Sequence, residues 1–320
     1  MIGRRTLLAA LPAALPVHRA AAQEFPSRRV TIVVPYPPGG TTDAMARMLA
    51  QRITGPLGQP VVVENRAGAN TVIAAEHVAR AEPDGHTILV SSGTTHTLNP
   101  LLNRSLPYKP EDFAPVALVS RVPLTLLARK DLPGTLPEFT AWAKSRGAAV
   151  NAGTNGPTSI HHLTVLMLNQ ALGLSLQGVP YRGDSQQIVD LLAGRIDLAV
   201  VGGGTSIAAH RNDQGRILAF TGGQRLPSLP DVPTLSESTP DLLAQTWFGL
   251  MVPARTPRPA IDRLNQVVVA ALGDAELRQR LEADGQFVSG PTTPEQVSTF
   301  LREDAERWAP IVRGIERRPE

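Results

Sequence analysis

Two stretches of this chain carry residue types suited to gripping an anion. The first is Tyr36-Pro37-Pro38-Gly39-Gly40-Thr41-Thr42-Asp43, which follows the β-branched run Val30 to Val34 and precedes a helical pattern. Proline withholds an N–H from any ladder, and glycine lets the backbone take φ > 0 and approach a ligand closely. Thr41, Thr42 or Asp43 can cap the helix, whose first N–H groups point into the loop. Those amides and the helix dipole together favour a carboxylate or a phosphate. The second stretch is Gly153-Thr154-Asn155-Gly156-Pro157-Thr158-Ser159-Ile160-His161-His162-Leu163, again between a strand and a helix, with Thr158 or Ser159 as the cap. Each alone is equally an ordinary strand-to-helix turn. Facing each other across a cleft, they offer several charge-assisted bonds to one carboxylate, each worth about 1.5–3 kcal/mol. Three or four such bonds, less ordering costs, reach micromolar affinity, about −8 kcal/mol.

Other chemistry lacks its residues. There is no cysteine, so no thiolate metal site, disulfide or Cys nucleophile. No G-x-S-x-G elbow, G-x-x-x-x-G-K loop or H-E-x-x-H zinc helix occurs. His161 and His162 are adjacent, so they project in different directions and make no natural metal pair. Ser159, His162 and Asp43 can converge only if the fold brings them together, and their spacing says nothing of a triad. No enzyme activity, metal or cofactor is expected.

The elements that position the two loops alternate. Ala44, Met45, Met48, Leu49 and Ile53 form one helical stripe over 41–54. A strand at 61–63, a helix at 71–81 and a strand at 87–90 ending in Ser91-Ser92-Gly93-Thr94-Thr95 follow. Next come a helix at 136–146, a strand at 148–152, a helix at 159–172, a strand closing at 179–181 and a helix at 185–193. Strands at 196–201 and 217–221 precede a largely helical tail from Pro259, interrupted near 287–294. This order predicts an α/β fold with mostly parallel sheets, flanking helices and ligands at the carboxyl ends of strands. Two long apolar segments break the alternation, Val116 to Ala128 and Thr246 to Pro253. As hinge strands they divide the chain into residues 23–122 plus 248–320 and residues 123–247, with a cleft between. The alternative is one sheet with two internal strands.

The first 22 residues read as an export signal: Arg4 and Arg5, a short apolar core, and Ala20-Ala21-Ala22 before Gln23. The run is too short, and too interrupted by Pro12 and Pro16, to span a bilayer. The paired arginines suit a twin-arginine signal, and Sec export stays open. The whole chain has 31 Lys and Arg against 28 Asp and Glu, and the signal holds three of those arginines and no acid, so the remainder is formally neutral. No clustered basic stripe argues for nucleic acid or membrane.

Several segments in register resemble the exported solute-binding proteins of the tripartite tricarboxylate transporter system, the Bug family. They are Pro35 to Asp43, Gly58 to Arg66, Pro83 to Thr87, Val179-Pro180-Tyr181-Arg182-Gly183, Leu229 to Thr234 and Trp247-Phe248-Gly249-Leu250. The resemblance covers essentially the whole chain after the signal. It implies a monomeric, two-domain, hinge-bending periplasmic receptor that hands its solute to a membrane permease. It further implies that loops 36–43 and 154–162 grip a ligand carboxylate, partly through water. Loop 92–96, with Ser92, Thr94, Thr95 and His96, and segment 181–183 then line the remaining pocket. Signalling to a membrane sensor kinase is the other use of such a receptor; an exported hydrolase is a distant third.

The chain departs from the family pattern after the strand at 196–201. Many members carry an acid or amide there, whereas this chain has Val201-Gly202-Gly203-Gly204. No side-chain carboxylate is expected at that place, which favours a di- or tricarboxylate or an aromatic acid over an amino acid. Those glycines equally suit close backbone packing. Arg182 is either a clamp on a distal carboxylate or a solvated surface residue. Asp43 is expected to cap its helix.

Overall fold

The computed structural model describes residues 25–316, apart from 104 and 241. The export signal expected over 1–22 lies outside the described residues. In chain order the elements begin β1 (Val30–Val34), α1 (Thr41–Leu57), β2 (Val61–Asn65), α2 (Val72–Ala79), β3 (Thr87–Ser92), α3 (Asn99–Leu102) and β4 (Phe113–Ala128). They continue α4 (Leu136–Arg146), β5 (Asn151–Thr154), α5 (Ile160–Leu172), β6 (Gln177–Pro180), α6 (Asp184–Leu192), β7 (Leu198–Gly202), α7 (Gly203–Arg211) and β8 (Arg216–Phe220). The chain ends with β9 (Gln245–Pro253), α8 (Arg258–Leu272), α9 (Ala275–Ala283), β10 (Phe287–Val288) and α10 (Pro294–Glu316).

The strands lie in the order β2-β1-β3-β9-β4-β7-β5-β6, with β8 and β10 also on β4. Parallel pairing is confined to the outer strands, β1 with β2 and β3, and β5 with β6 and β7. The central strands β4 and β9 run antiparallel to their neighbours. β4 serves two sheets. Phe113 to Pro123 pair with β9, and from Leu124 the strand pairs with β7 and β8 instead. Proline has no N–H to give a ladder, so Pro123 marks the hand-over, and the next amide, Leu124, donates to the Thr221 hydroxyl at 2.8 Å.

Each lobe packs helices on both faces of its sheet. Along β1 the side chains alternate: Val30, Ile32 and Val34 meet Met45, Leu49 and Ile53 of α1, while Val33 meets Ala74, Ala75 and Val78 of α2. Each such fully buried aliphatic side chain contributes about 1.5–3 kcal/mol. In the second lobe α4 and α5 cover one face and α6 and α7 the other. Helix α10 joins both cores. Val297 and Leu301 pack in the first lobe, and Trp308 and Val312 in the second. The tail assigned from sequence to the first domain therefore crosses over.

Boundaries moved by a few residues where pattern is weak: the strand expected at 148–152 lies at 151–154, and the one closing at 179–181 lies at 177–180. Helix α7 was not foreseen, nor was the π-helical turn over Thr94–Leu98. Two leading glycines behind a glycine N-cap, and a hydroxyl-rich run, both lack helix propensity.

Candidate functional site

Helix α1 begins at an uncapped end. Its N-cap is Gly40, in extended conformation and with no side chain to offer. The Thr41, Thr42 and Asp43 amides meet no acceptor among the described residues. Asp43 does not cap the helix as expected; from the first turn it reaches back to the Gly39 N–H at 3.0 Å and takes bonds from Arg47 at 2.9 Å and Asn65 at 2.8 Å. Burial raises the Asp43 pKa, but the Arg47, Gly39 and Asn65 bonds outweigh it and leave the group below the usual carboxylate range. With three donors engaged, its charge is committed to holding the loop. Gly39 sits at φ 85°, which a side chain would strain.

Opposite stands the second lobe, but with different helices than expected. Ser159 caps α5, accepting from His162 N–H at 3.2 Å, and the Ile160 amide points to Thr94 Oγ1 at 3.5 Å. The helix whose start meets α1 is α7: Thr205 N–H donates to Thr41 Oγ1 at 3.3 Å, and the two threonine hydroxyls lie 3.2 Å apart. The close approach explains Gly202. A Cβ there would stand 2.6 Å from Thr41 Oγ1 and 3.2 Å from Asp184 Oδ2.

Asp184, the first residue of α6, supplies the carboxylate that the sequence was expected to lack here. Its Oδ1 accepts from Asn155 Nδ2 at 2.8 Å and its Oδ2 from the Gly202 amide at 2.9 Å. Asn155 is oriented by its neighbours. Its Oδ1 accepts from Gln187 at 2.7 Å, so its Nδ2 faces Asp184 and donates also to His161 Nε2 at 3.1 Å. That leaves the His161 ring proton on Nδ1. Burial lowers the His161 pKa, with Asp184 opposing, so the ring is neutral at physiological pH. Burial pushes Tyr36 up to about 12, so its phenol keeps its proton.

These groups enclose one pocket. Its floor is the crossing strands themselves, Val122 and Leu124 of β4 with Thr246 and Phe248 of β9. Gly40, Thr41 and Thr42 form one wall, and Asn155, His161 and Asp184 face them. The void between is about 20 Å³, room for roughly one water. It is continuous in lining, through Tyr36 and Asn155, with a cavity of about 390 Å³ at the mouth, bordered by Asn70, Tyr181 and Arg182.

The chain matches the family described as "Tripartite tricarboxylate transporter family receptor" over residues 45–316. The protein BugT of Bordetella pertussis is 35% identical over 297 residues, 92% of this chain and 91% of BugT. This chain belongs to that receptor family. Among solved structures, MatC from Rhodopseudomonas palustris with bound malate superposes with TM-score 0.84 at 35% identity, covering 90% of this chain and 100% of MatC. An adipate-bound protein from R. palustris gives TM-score 0.88 at 31% identity, covering 92% of this chain and 99% of the other.

The receptor thus brings Tyr36, Gly40, Thr41, Thr42, Asn155 and Gly202 to the pocket wall, with Tyr181 and Arg182 at the mouth. Pro38 and Gly39 are exposed on the loop, and Gly183 packs on Pro37 of the other lobe. Ser92 and Thr95 lie behind the wall in a hydroxyl chain from Tyr36 to Thr71, with steps of 3.4, 3.2 and 3.0 Å. Thr154 bonds Val179 O at 3.5 Å, and Thr158 binds Asn70 and Asn99 of the first lobe. Two histidines point elsewhere. His96 lies edge-on and tilted between Phe113 and Trp247, because its π-helical turn faces the aromatic cluster under α10. His162 lies against Gly178 of β6, and its neighbour His161 takes the pocket position. Sequence reasoning missed Asp184 and His161. An acid straight after a glycine at a helix start was the available signal for Asp184.

Proposed function

We propose that this receptor captures a small carboxylate in the interlobe pocket and delivers it to a tripartite tricarboxylate-type membrane permease. The observation that carries this reading is the uncapped α1 N-terminus, whose free amides open onto a pocket floored by the two crossing strands. An anion seated there gains charge-assisted bonds and the helix dipole at once. The malate in MatC and the adipate in the R. palustris protein support the ligand class. Closure follows from the floor: β4 and β9 bend near 120–124 and 246–250, bringing residues 23–122 plus 248–320, less the end of α10 that packs on the second lobe, against residues 123–247. The closed form is what the permease reads, since a ligand shifts the equilibrium by its differential affinity for the two states.

The receptor acts in the periplasm as a monomer, after export through a twin-arginine or Sec signal cut behind Ala22. No chemistry is asked of the site and no cofactor is required. Arg182 at the mouth is placed to meet the far end of a longer ligand. A thermal-shift screen over di- and tricarboxylates, aromatic acids and amino acids tests the reading. A true ligand raises the melting temperature with concentration, by mass action. Stabilisation by uncharged compounds alone defeats it, and turnover of a stabilising compound turns the reading toward an enzyme.

A further inference from the structure

We propose that Asp184 selects carboxylates bearing a hydrogen-bond donor, a hydroxyl or an ammonium, on the carbon next to the gripped carboxylate. This rests on carboxylate capture at the α1 N-terminus, argued above, and narrows it to hydroxy- or amino-carboxylates. Asp184 lines the pocket and is the one side chain with a formal charge among the described residues that do. Its Cβ lies 4.0 Å from where a Cβ on Gly40 would be, so the acid stands beside the N-cap of α1. A carboxylate has about four acceptor positions and no donor. Protein donors fill one position on each oxygen, from Asn155 and from the Gly202 amide. The remaining lone pairs ask for a donor from the pocket side.

The hydroxyls of Tyr36, Thr41, Thr42 and Thr246 line the same pocket, but among the described residues none of them bonds the acid, and His161 turns its unprotonated Nε2 to it at 3.7 Å. Val122, Leu124 and Phe248 are apolar, and Asn155 already spends its amide on Asp184 and His161. Because Asp184 stands beside the N-cap of α1, a ligand carboxylate on the α1 amides would have its neighbouring carbon within reach of that acid. A bare methylene there leaves the acid unpaired, and a second carboxylate there meets like charge. A hydroxyl or ammonium completes it. The glycine at 202 is what leaves room for the acid, since a Cβ would stand 3.2 Å from Asp184 Oδ2.

The test is calorimetric titration of the signal-free protein with matched acids differing only at that carbon: malate and succinate, 2-hydroxyglutarate and glutarate, mandelate and phenylacetate. Whichever pair binds, the hydroxylated member is expected to bind at least tenfold more tightly. Asp184→Asn keeps the shape and one acceptor but adds a donor; it should bring the two members within about threefold, mainly by weakening the hydroxylated one. Asp184→Ser serves as a second variant if the first does not fold, and the wild-type ratio decides alone if neither does. Equal binding of both members by the wild type, or an unchanged ratio in a folded variant, overturns the role of Asp184 while leaving carboxylate capture intact. Failure of every acid, against binding of neutral solutes, removes both.

Discussion

At the scale of single residues, burial assigns the acids and imidazoles roles that residue type alone does not. Asp43 and Asp184 each stand in the first turn of a helix, yet Asp43 is tied up by Arg47, Asn65 and Gly39 while Asp184 opens to the pocket. The first was read from the sequence as a helix cap and instead fixes the loop. The second reads as an unremarked helix-start acid, because nothing in the sequence brings α6 opposite α1. His96 illustrates the same limit, since a residue at a strand end faces either the cleft or the core and only packing decides. Its burial between Phe113 and Trp247 lowers its pKa from 6.5 to about 4, with Glu111 opposing. The folded state therefore binds fewer protons than the unfolded chain between those values. Stability from His96 is complete above pH 6.5 and is lost as pH falls toward 4, at about 1.4 kcal/mol per unit. Urea unfolding at pH 7.5 and pH 4.5 checks this. His96→Phe should preserve the aromatic packing and shrink the difference between the two pH values; an unchanged difference means that His96 does not titrate in this way.

At the scale of elements, strands and helices with strong periodicity were legible. β1 and α1 follow from alternation and a helical stripe, and the long apolar runs of β4 and β9 announced two long strands, of which β4 pairs in both sheets. Helix α7 was hidden because glycine is a poor helix former. Its start is imposed by tertiary contact: the backbone of Gly203 lies against Asp284 and Gly285, where a Cβ would stand 3.0 and 3.1 Å away. Helix α10 was visible as a helix but not as a strut. Its Asp304 accepts from Thr97 at 2.6 Å and from the Trp247 indole at 2.9 Å, which pins its middle to the crossing strand β9. Beyond that pin, Trp308 is 1% exposed in the core of the second lobe. Trp308→Ala should cost about 3–5 kcal/mol, the range for emptying a large aromatic site. Denaturant unfolding followed at two probes, one per lobe, measures it. If α10 is the strut described, the two transitions separate as the second lobe loosens first; a coincident loss below 1 kcal/mol argues that the helix merely rests on the surface.

At the scale of the whole molecule, the contacts between lobes that flank the pocket are polar, built from hydroxyls, amides and glycine backbone, while Leu98 and the end of α10 pack into the core of the second lobe. Thr158 donates to Asn99 Oδ1 at 2.9 Å and accepts from Asn70, and Asn99 in turn bonds the Asn70 carbonyl at 2.8 Å. On the far side of the pocket Thr41 meets Thr205. Such contacts suit a receptor that must open. Each neutral hydrogen bond contributes only about 0.5–1.5 kcal/mol net, because water replaces it when the lobes part. The sequence could not show the seam, since its partners are 88 and 164 positions apart. Thr158→Val keeps the side-chain shape and removes both bonds, so its effect falls on the closed form, while the open form loses a contact to water alone. The closed population should drop by roughly five- to tenfold, corresponding to about 1–1.4 kcal/mol, and a ligand that binds only the closed form loses affinity by the same factor. Small-angle scattering should give a larger radius of gyration for the ligand-free variant than for the wild type, converging at saturating solute. Weaker binding with no change in scattering would place Thr158 among the groups that touch the ligand; unchanged binding and scattering would mean that the Asn70–Asn99–Thr158 cluster does not hold the lobes together.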